Sequence, residues 1–188
     1  YYNLANPTIY DEQDERANKY KIGVFIFYHY WFDNSMILSL PLDLYIQKKR
    51  KTKFILCWDN QSGYLGKKYF NKPEKHAYAL LKYFMSENYL TDKNGKKPFL
   101  IYLTKDLSTN KLIDITYLTV FLKFLKYYDI NLKIGYNYQK FKNNFAIPDH
   151  SDICVEFGPH MGNGKPHRNT YEYSVRTPKC PEYWQGAI

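Results

Sequence analysis

Short, unbroken apolar runs alternate with stretches of helical period along most of this chain. Residues 23–28 (GVFIFY), 54–58 (FILCW) and 98–102 (PFLIY) lack polar alternation, which predicts strands covered on both faces in a parallel sheet. Weaker runs predict strands at 132–135 (LKIG) and 152–157 (DICVEF). Between them, Pro73 can open a helix whose Ala77, Leu80, Leu81 and Phe84 share one face and which ends near Glu87. Asp114 can cap a second helix, with Leu118, Phe121, Leu122 and Leu125 toward the core. A modest helical pattern spans 40–49. Residues 11–20 open with Asp11, Glu12, Asp14 and Glu15 and close with Arg16 and Lys19, the charge order that a helix macrodipole favours. Asn94-Gly95 marks a turn, and 140–151 and 158–168 read as loops. Helices alternating with buried strands predict an α/β fold with parallel strands.

Composition narrows the class. The chain has 188 residues, 45% of them hydrophobic and 19% aromatic, enough for one domain with its own core and too apolar for disorder. No apolar stretch is long enough to span a bilayer, because Lys123 and Lys126 interrupt the best run, and no signal peptide is readable. A cytoplasmic address is therefore the expectation. Cys57, Cys154 and Cys180 are odd in number and lack C-x-x-C spacing, which disfavours a disulfide framework or zinc cluster; Cys57 and Cys154 read as core fillers. The net charge of +9 is carried by 23 Lys and only 4 Arg. Scattered lysines are read as solvated faces, and the one dense run, 47–53 (QKKRKTK), leaves nucleic acid an unfavoured partner.

Candidate chemistry gathers just past three strands. Tyr28-His29-Tyr30-Trp31-Phe32 offers rings and an imidazole, a combination suited to sugars, whose C–H faces stack on aromatics while their hydroxyls need short hydrogen bonds. The alternative is a hydrophobic plug with His29 as a satisfied core histidine. Trp58-Asp59-Asn60-Gln61 supplies a carboxylate and two amides, or else a turn cap. Glu156, inside an apolar strand and followed by His160, would have its pKa raised by burial unless it is paired. Asp59 and Glu156 are thus expected as the catalytic pair. His29, Tyr30, Trp31, Trp58, Asn60, Gln61 and His160 are expected as substrate-binding groups. Side chains converging from several strand C-termini is how a (β/α)8 barrel builds a site. No G-x-G-x-x-G or P-loop follows a strand, and His150, His160, His167, Asp149 and Asp152 match no trusted ligand spacing, so no cofactor or metal is expected.

These same residues carry a family resemblance. Residues 27–32 (FYHYWF) resemble the Y-Y-H-Y-W-F segment of the WbsX-like glycosyltransferase family, and 57–61 (CWDNQ) resemble its C-W-A-N-E-N segment. Gly95-Lys96-Lys97-Pro98 before a strand ending Leu-Ile-Tyr is similar to its D-G-K-P stretch, and 155–160 (VEFGPH) to its V-E-F-P-P-H. The four matches are collinear and span most of the chain. The resemblance implies a domain related to glycoside hydrolase family 99, a (β/α)8 TIM-barrel-like fold, here incomplete at about five or six of eight βα units, since closure takes about 250 residues. It also implies a carbohydrate-active protein, first a glycosyltransferase-like enzyme of polysaccharide or glycan biosynthesis. A glycoside hydrolase working through paired carboxylates and a non-catalytic glycan-binding module are the alternatives. Partners would be a glycan with a sugar donor or acceptor, and remaining barrel segments from the parent polypeptide. Gln61 stands where relatives carry Glu, and Ser62-Gly63 replaces their Asn-Trp, so one acidic and one aromatic group of the family site are missing. Gln hydrogen-bonds a sugar but cannot shuttle a proton.

Overall fold

The structure is a computed structural model. It describes residues 3–32, 34–60, 72–102, 115–138 and 153–156, of which 115, 136–138 and 153–156 are described as backbone. The elements run α1 (Thr8–Lys19), β1 (Val24–Phe32), β2 (Ser35–Ile37), α2 (Leu40–Tyr45), β3 (Lys53–Trp58), α3 (Pro73–Phe84), β4 (Lys97–Ile101), α4 (Ile115–Tyr127), β5 (Leu132–Tyr138) and β6 (Ile153–Glu156).

All six strands form one sheet in the order β2-β1-β3-β4-β5-β6. The five long-range neighbours from β1 to β6 pair in parallel, while β2 folds back on β1 as an antiparallel hairpin arm. The parallel strands follow chain order without reversal. Right-handed crossovers in a sheet ordered this way all fall on one face, unlike a doubly wound sheet, where the order reverses and helices cover both. Side-chain contacts agree. Phe25 and Phe27 of β1 and Phe54 of β3 pack edge-on or tilted against Tyr45 of α2, and Phe99 of β4 stacks on Phe121 of α4 at 5.6 Å. Because strand side chains alternate, the register Phe27–Leu56–Phe99–Ile134 is one row across the helix-covered face.

The central strands are covered on both sides, as their unbroken apolar runs predict. On the face away from the helices, Ile55, Cys57 and Leu100 are also at most 2% exposed. β1 departs from that expectation, for Ile26 is 44% exposed. It lies next to the short arm β2 rather than between two full strands, so among the described residues its second face is only partly covered.

Two helices differ from their sequence patterns at the ends. α2 stops at Tyr45 instead of continuing to residue 49, because the basic run is held as a loop. The Asp14 carboxylate accepts the Lys51 and Thr52 amides at 3.1 and 2.8 Å. Asn88 accepts the Arg50 amide at 2.9 Å and donates to the Lys48 carbonyl at 2.6 Å. Arg50 lies over the Tyr45 ring, donates to the Tyr45 carbonyl at 3.0 Å and pairs with Asp11 at 2.6 Å. Lys48 reaches the same Asp11, and Lys49 reaches Glu87. Lys48, Lys49 and Arg50 of the run thus each pair with a carboxylate. α1 begins earlier than expected, at Thr8, directly after Pro7. The Asn94-Gly95 turn is present with Gly95 at φ 77°, where a side chain would be strained. β2 carries no apolar run and was not legible.

Candidate functional site

The C-terminal ends of β1, β3, β4, β5 and β6 lie side by side, so Tyr30, Asp59, Tyr102, Tyr138 and Glu156 all fall at or beside one end of the sheet. The two faces of that end are chemically different.

On the helix-covered face, His29, Trp31 and Trp58 form a closed aromatic cluster with His76 of α3 and Tyr117 of α4. His29 and His76 are 1% and 0% exposed, and their Nε2 atoms are 2.8 Å apart. His76 Nδ1 is 2.8 Å from the Tyr117 hydroxyl. Trp31 stacks on the His76 ring at 4.8 Å, Trp58 meets it edge-on at 4.8 Å, and Phe121 closes the far side at 5.0 Å. Burial drives the His29 pKa down to about 3, against a smaller opposing pull from the Cys57 carbonyl. Burial, and then the neighbouring His29, hold His76 well below its ordinary value. Both rings are therefore neutral near pH 7, and one proton must sit between the two Nε2 atoms. Donor and acceptor roles along this chain are set by the tautomers of the two rings. With the Tyr117 hydroxyl as donor to His76 Nδ1, His76 Nε2–H donates to His29 Nε2; in the reverse order His29 Nε2–H donates to His76 Nε2 and His76 Nδ1–H to the Tyr117 oxygen. In either order His29 Nδ1 is buried without a hydrogen-bond partner among the described residues.

The sequence reading of His29, Trp31 and Trp58 as sugar contacts meets a physical obstacle in that burial. Their rings are at most 2% exposed and face the helices, so no sugar face can stack on them in this arrangement. The core-histidine alternative describes His29. His76 and Tyr117 were missed because each occupies one position of an amphipathic helix, and their partners lie 41 to 47 residues away in sequence.

On the opposite face, alternation along β1 and β3 brings together Tyr28, Tyr30, Cys57 and Asp59, with Tyr102 beyond β4. Tyr28 and Tyr102 meet edge-on at 5.8 Å, and Tyr30 and Phe32 stack at 6.3 Å. Tyr28, Tyr30 and Asp59 are half-buried, so this face is partly open at its end although Cys57 and Leu100 beside them are closed off. The Asp59 charge is felt across the group. Burial first, then Asp59, push the Cys57 thiol up to about 12. Tyr30 is raised by burial, Asp59 and Cys57, and Tyr28 by burial with Cys57, Tyr102 and Asp59 following. All three therefore stay protonated at neutral pH, leaving the tyrosines as hydroxyl donors. Asp59 is anchored through its backbone amide, which donates to the His29 carbonyl at 3.0 Å, and Asn60 beside it is buried. Tyr28 and Tyr102 join the site residues here. The alternation of β1, once its register is known, is the signal that separates Tyr28 and Tyr30 from His29 and Trp31.

Glu156 ends β6, opposite Tyr138 of β5. It lies three strand intervals from Asp59, about 14 Å along a flat sheet at 4.7–4.9 Å per strand. Gln61 and His160, the loops 140–151 and 158–168, the Asp114 cap, and His150, His167, Asp149 and Asp152 lie outside the described residues. Among the described residues no group of three metal-binding side chains occurs, and no helix is long and apolar enough to cross a membrane.

Comparison with known proteins adds kinship to this geometry. The family model described as Glycosyltransferase WbsX matches residues 1–179. WxcX of Xanthomonas campestris pv. campestris strain B100, described as an uncharacterized protein, is 36% identical over 62 residues, and WxcX of strain ATCC 33913 matches equally. Those residues are 32% of this chain and 9% of WxcX. No solved structure matches the chain.

Proposed function

This chain belongs to the WbsX glycosyltransferase family, and from that premise we propose that it is a glycosyltransferase-like domain of polysaccharide or glycan biosynthesis whose saccharide site is the open face at the C-terminal ends of its strands. The observation that carries the proposal is Asp59, a half-buried carboxylate beside Tyr28 and Tyr30 at the end of a buried strand. Tyrosine rings supply stacking surface, protonated tyrosine hydroxyls donate to sugar oxygens, and Asp59 accepts from sugar hydroxyls or takes a proton from an attacking one. Asn60 and Gln61 would extend the hydrogen-bonding set, and His160 would approach from the loop after β6.

The order of strands and the one-sided helices support reading residues 1–188 as one stretch of (β/α)8 wall. Curvature matters to the chemistry. A flat sheet would hold Asp59 and Glu156 beyond the roughly 6.5–9.5 Å that inverting glycosidases use, whereas a wall curved around the site shortens the distance across its mouth. Glu156 acts with Asp59 only in the curved case. The remaining wall would come from the parent polypeptide, and the buried free thiol of Cys57 fits a reducing, cytoplasmic setting.

Mass-spectrometric product analysis of the full-length parent with a panel of nucleotide sugars and oligosaccharide acceptors tests the proposal. Transfer that falls at least 100-fold in Asp59→Asn, at unchanged folding, supports it. Release of free sugar without a donor would instead assign a hydrolase. Binding without turnover in the parent would leave a glycan-binding module.

A further inference from the structure

A second surface has ligand-binding chemistry and no place in the proposed site. A groove of about 630 Å³ runs along α3 beside the β1–β2 hairpin and the end of α4. This is within the roughly 300–1,000 Å³ of small-molecule sites. Tyr78, 66% exposed, and Tyr128, 36% exposed, present ring surface there with Phe124. Phe124 and Tyr128 are one helical turn apart, and their rings meet at 5.2 Å. Exposed rings on two adjacent helices are costly to leave in water and offer stacking surface on both sides of the groove. Trp31 also contributes to the wall. It does so from within the aromatic cluster, 2% exposed and stacked on His76.

The polar lining decides what class of ligand fits. Glu74 and Lys75 bring one charge of each sign, and Asn34 brings an amide. One charge of each sign, with no cluster of cations among the described lining residues, is not the lining that holds a diphosphate or a polyanion. Ring faces combined with neutral and balanced hydrogen-bonding groups suit an uncharged polyhydroxylated ligand. We propose that this groove is a subsite for a neutral oligosaccharide acceptor, distinct from the saccharide site at the strand ends. The choice of a saccharide rests on the proposed function; the groove and its exposed tyrosine rings do not.

The position gives the subsite a purpose. Trp31 faces the helix layer, whereas Tyr30 faces the opposite side of the sheet, and the turn carrying Asn34 joins the two around the edge of the hairpin. A chain of several sugars seated on Tyr78 and Tyr128 could pass over that edge toward Asp59. A short acceptor would reach only one of the two surfaces.

Calorimetric titration of the full-length parent with cellohexaose, xylohexaose, maltohexaose and mannohexaose tests this, with UDP-glucose as the charged comparison. At least one hexasaccharide is expected to bind, to weaken at least tenfold in the Tyr78→Ala/Tyr128→Ala double variant, and to bind Tyr20→Ala, an exposed ring outside the groove, as it binds the parent. Tyr78 and Tyr128 are exposed enough to be removed without unfolding the chain, which circular dichroism checks. Unchanged affinity in the double variant, an equal loss of binding in Tyr20→Ala, or a flat titration with all four sugars overturns the subsite. Hexasaccharide binding lost only in the double variant, in a parent that transfers nothing, would keep the subsite and sink the transferase.

Discussion

The buried histidine pair makes folding acid-sensitive at a pH where the carboxylates are still silent. His29 and His76 share one proton across 2.8 Å and lie inside a shell of Trp31, Trp58, Phe99 and Phe121. In the folded chain both stay neutral well below pH 6.5, His29 down to about 3. In the unfolded chain each takes up a proton as pH falls through about 6.5. The unfolded state therefore binds more protons in this window, and stability must fall with pH. The contribution is complete above the unfolded value and drains away on acidification until the folded pKa is reached. Each histidine loses about 1.4 kcal/mol between about pH 7.5 and about pH 5.5, so the pair loses about 2.7 kcal/mol, a large part of a typical domain stability. Asp11, Asp14 and Asp43 all have pKa values below 3.8 and add nothing in that interval. Urea unfolding followed by tryptophan fluorescence and circular dichroism gives the quantity directly. His76→Gln and His29→Gln should each reduce the pH-dependent loss by about 1.4 kcal/mol relative to the parent. Histidines elsewhere in the chain cancel in that difference. An equal loss in parent and variants would refute the neutral pair.

Two further outcomes follow from other parts of the core. Arg50→Met should destabilise by about 2–4 kcal/mol, since it strips Asp11 and the Tyr45 carbonyl of a buried guanidinium, whereas Lys51→Ala should stay within about 0.5 kcal/mol in the same urea assay. Asp43 accepts from Lys82, Tyr83 and Ser39 at 2.6, 2.6 and 2.9 Å, bonds that outweigh burial and hold its pKa down. Asp43→Ala should cost about 1–3 kcal/mol and Tyr83→Phe less, because only the first leaves a partly buried hydroxyl unpaired.

The strands of this fold were legible where burial is two-sided. Residues 54–58 and 98–101 are unbroken apolar runs because side chains on both faces of β3 and β4 are buried, one face under α3 and α4. Helices α3 and α4 were legible from Leu80, Leu81, Phe84, Leu118, Phe121 and Leu125, which the fold buries. The hairpin arm β2 was not, since three residues paired to one neighbour need no periodic pattern. The end of α2 was hidden because its cause, the Asp14 carboxylate on the Lys51 and Thr52 amides, comes from α1. The site was legible as a segment and not as a surface. Residues 28–31 were visible as one aromatic cluster, but a strand sends Tyr28 and Tyr30 one way and His29 and Trp31 the other. Only the location of the helices says which side is open. The His76 and Tyr117 partners escaped notice because a polar residue on an amphipathic helix looks solvated until its distant partner is known.

The most direct test of the saccharide site is to follow the tyrosine ring signals of the full-length parent by NMR while a nucleotide sugar and an oligosaccharide acceptor are added together. Shifts concentrated at Tyr28, Tyr30 and Tyr102, absent in Asp59→Asn and sparing the helix-side Tyr45 and Tyr117, are the predicted result. Shifts confined to Tyr117 and its buried neighbours, or no shift at the three open-face tyrosines in a parent that turns the sugars over, would contradict it.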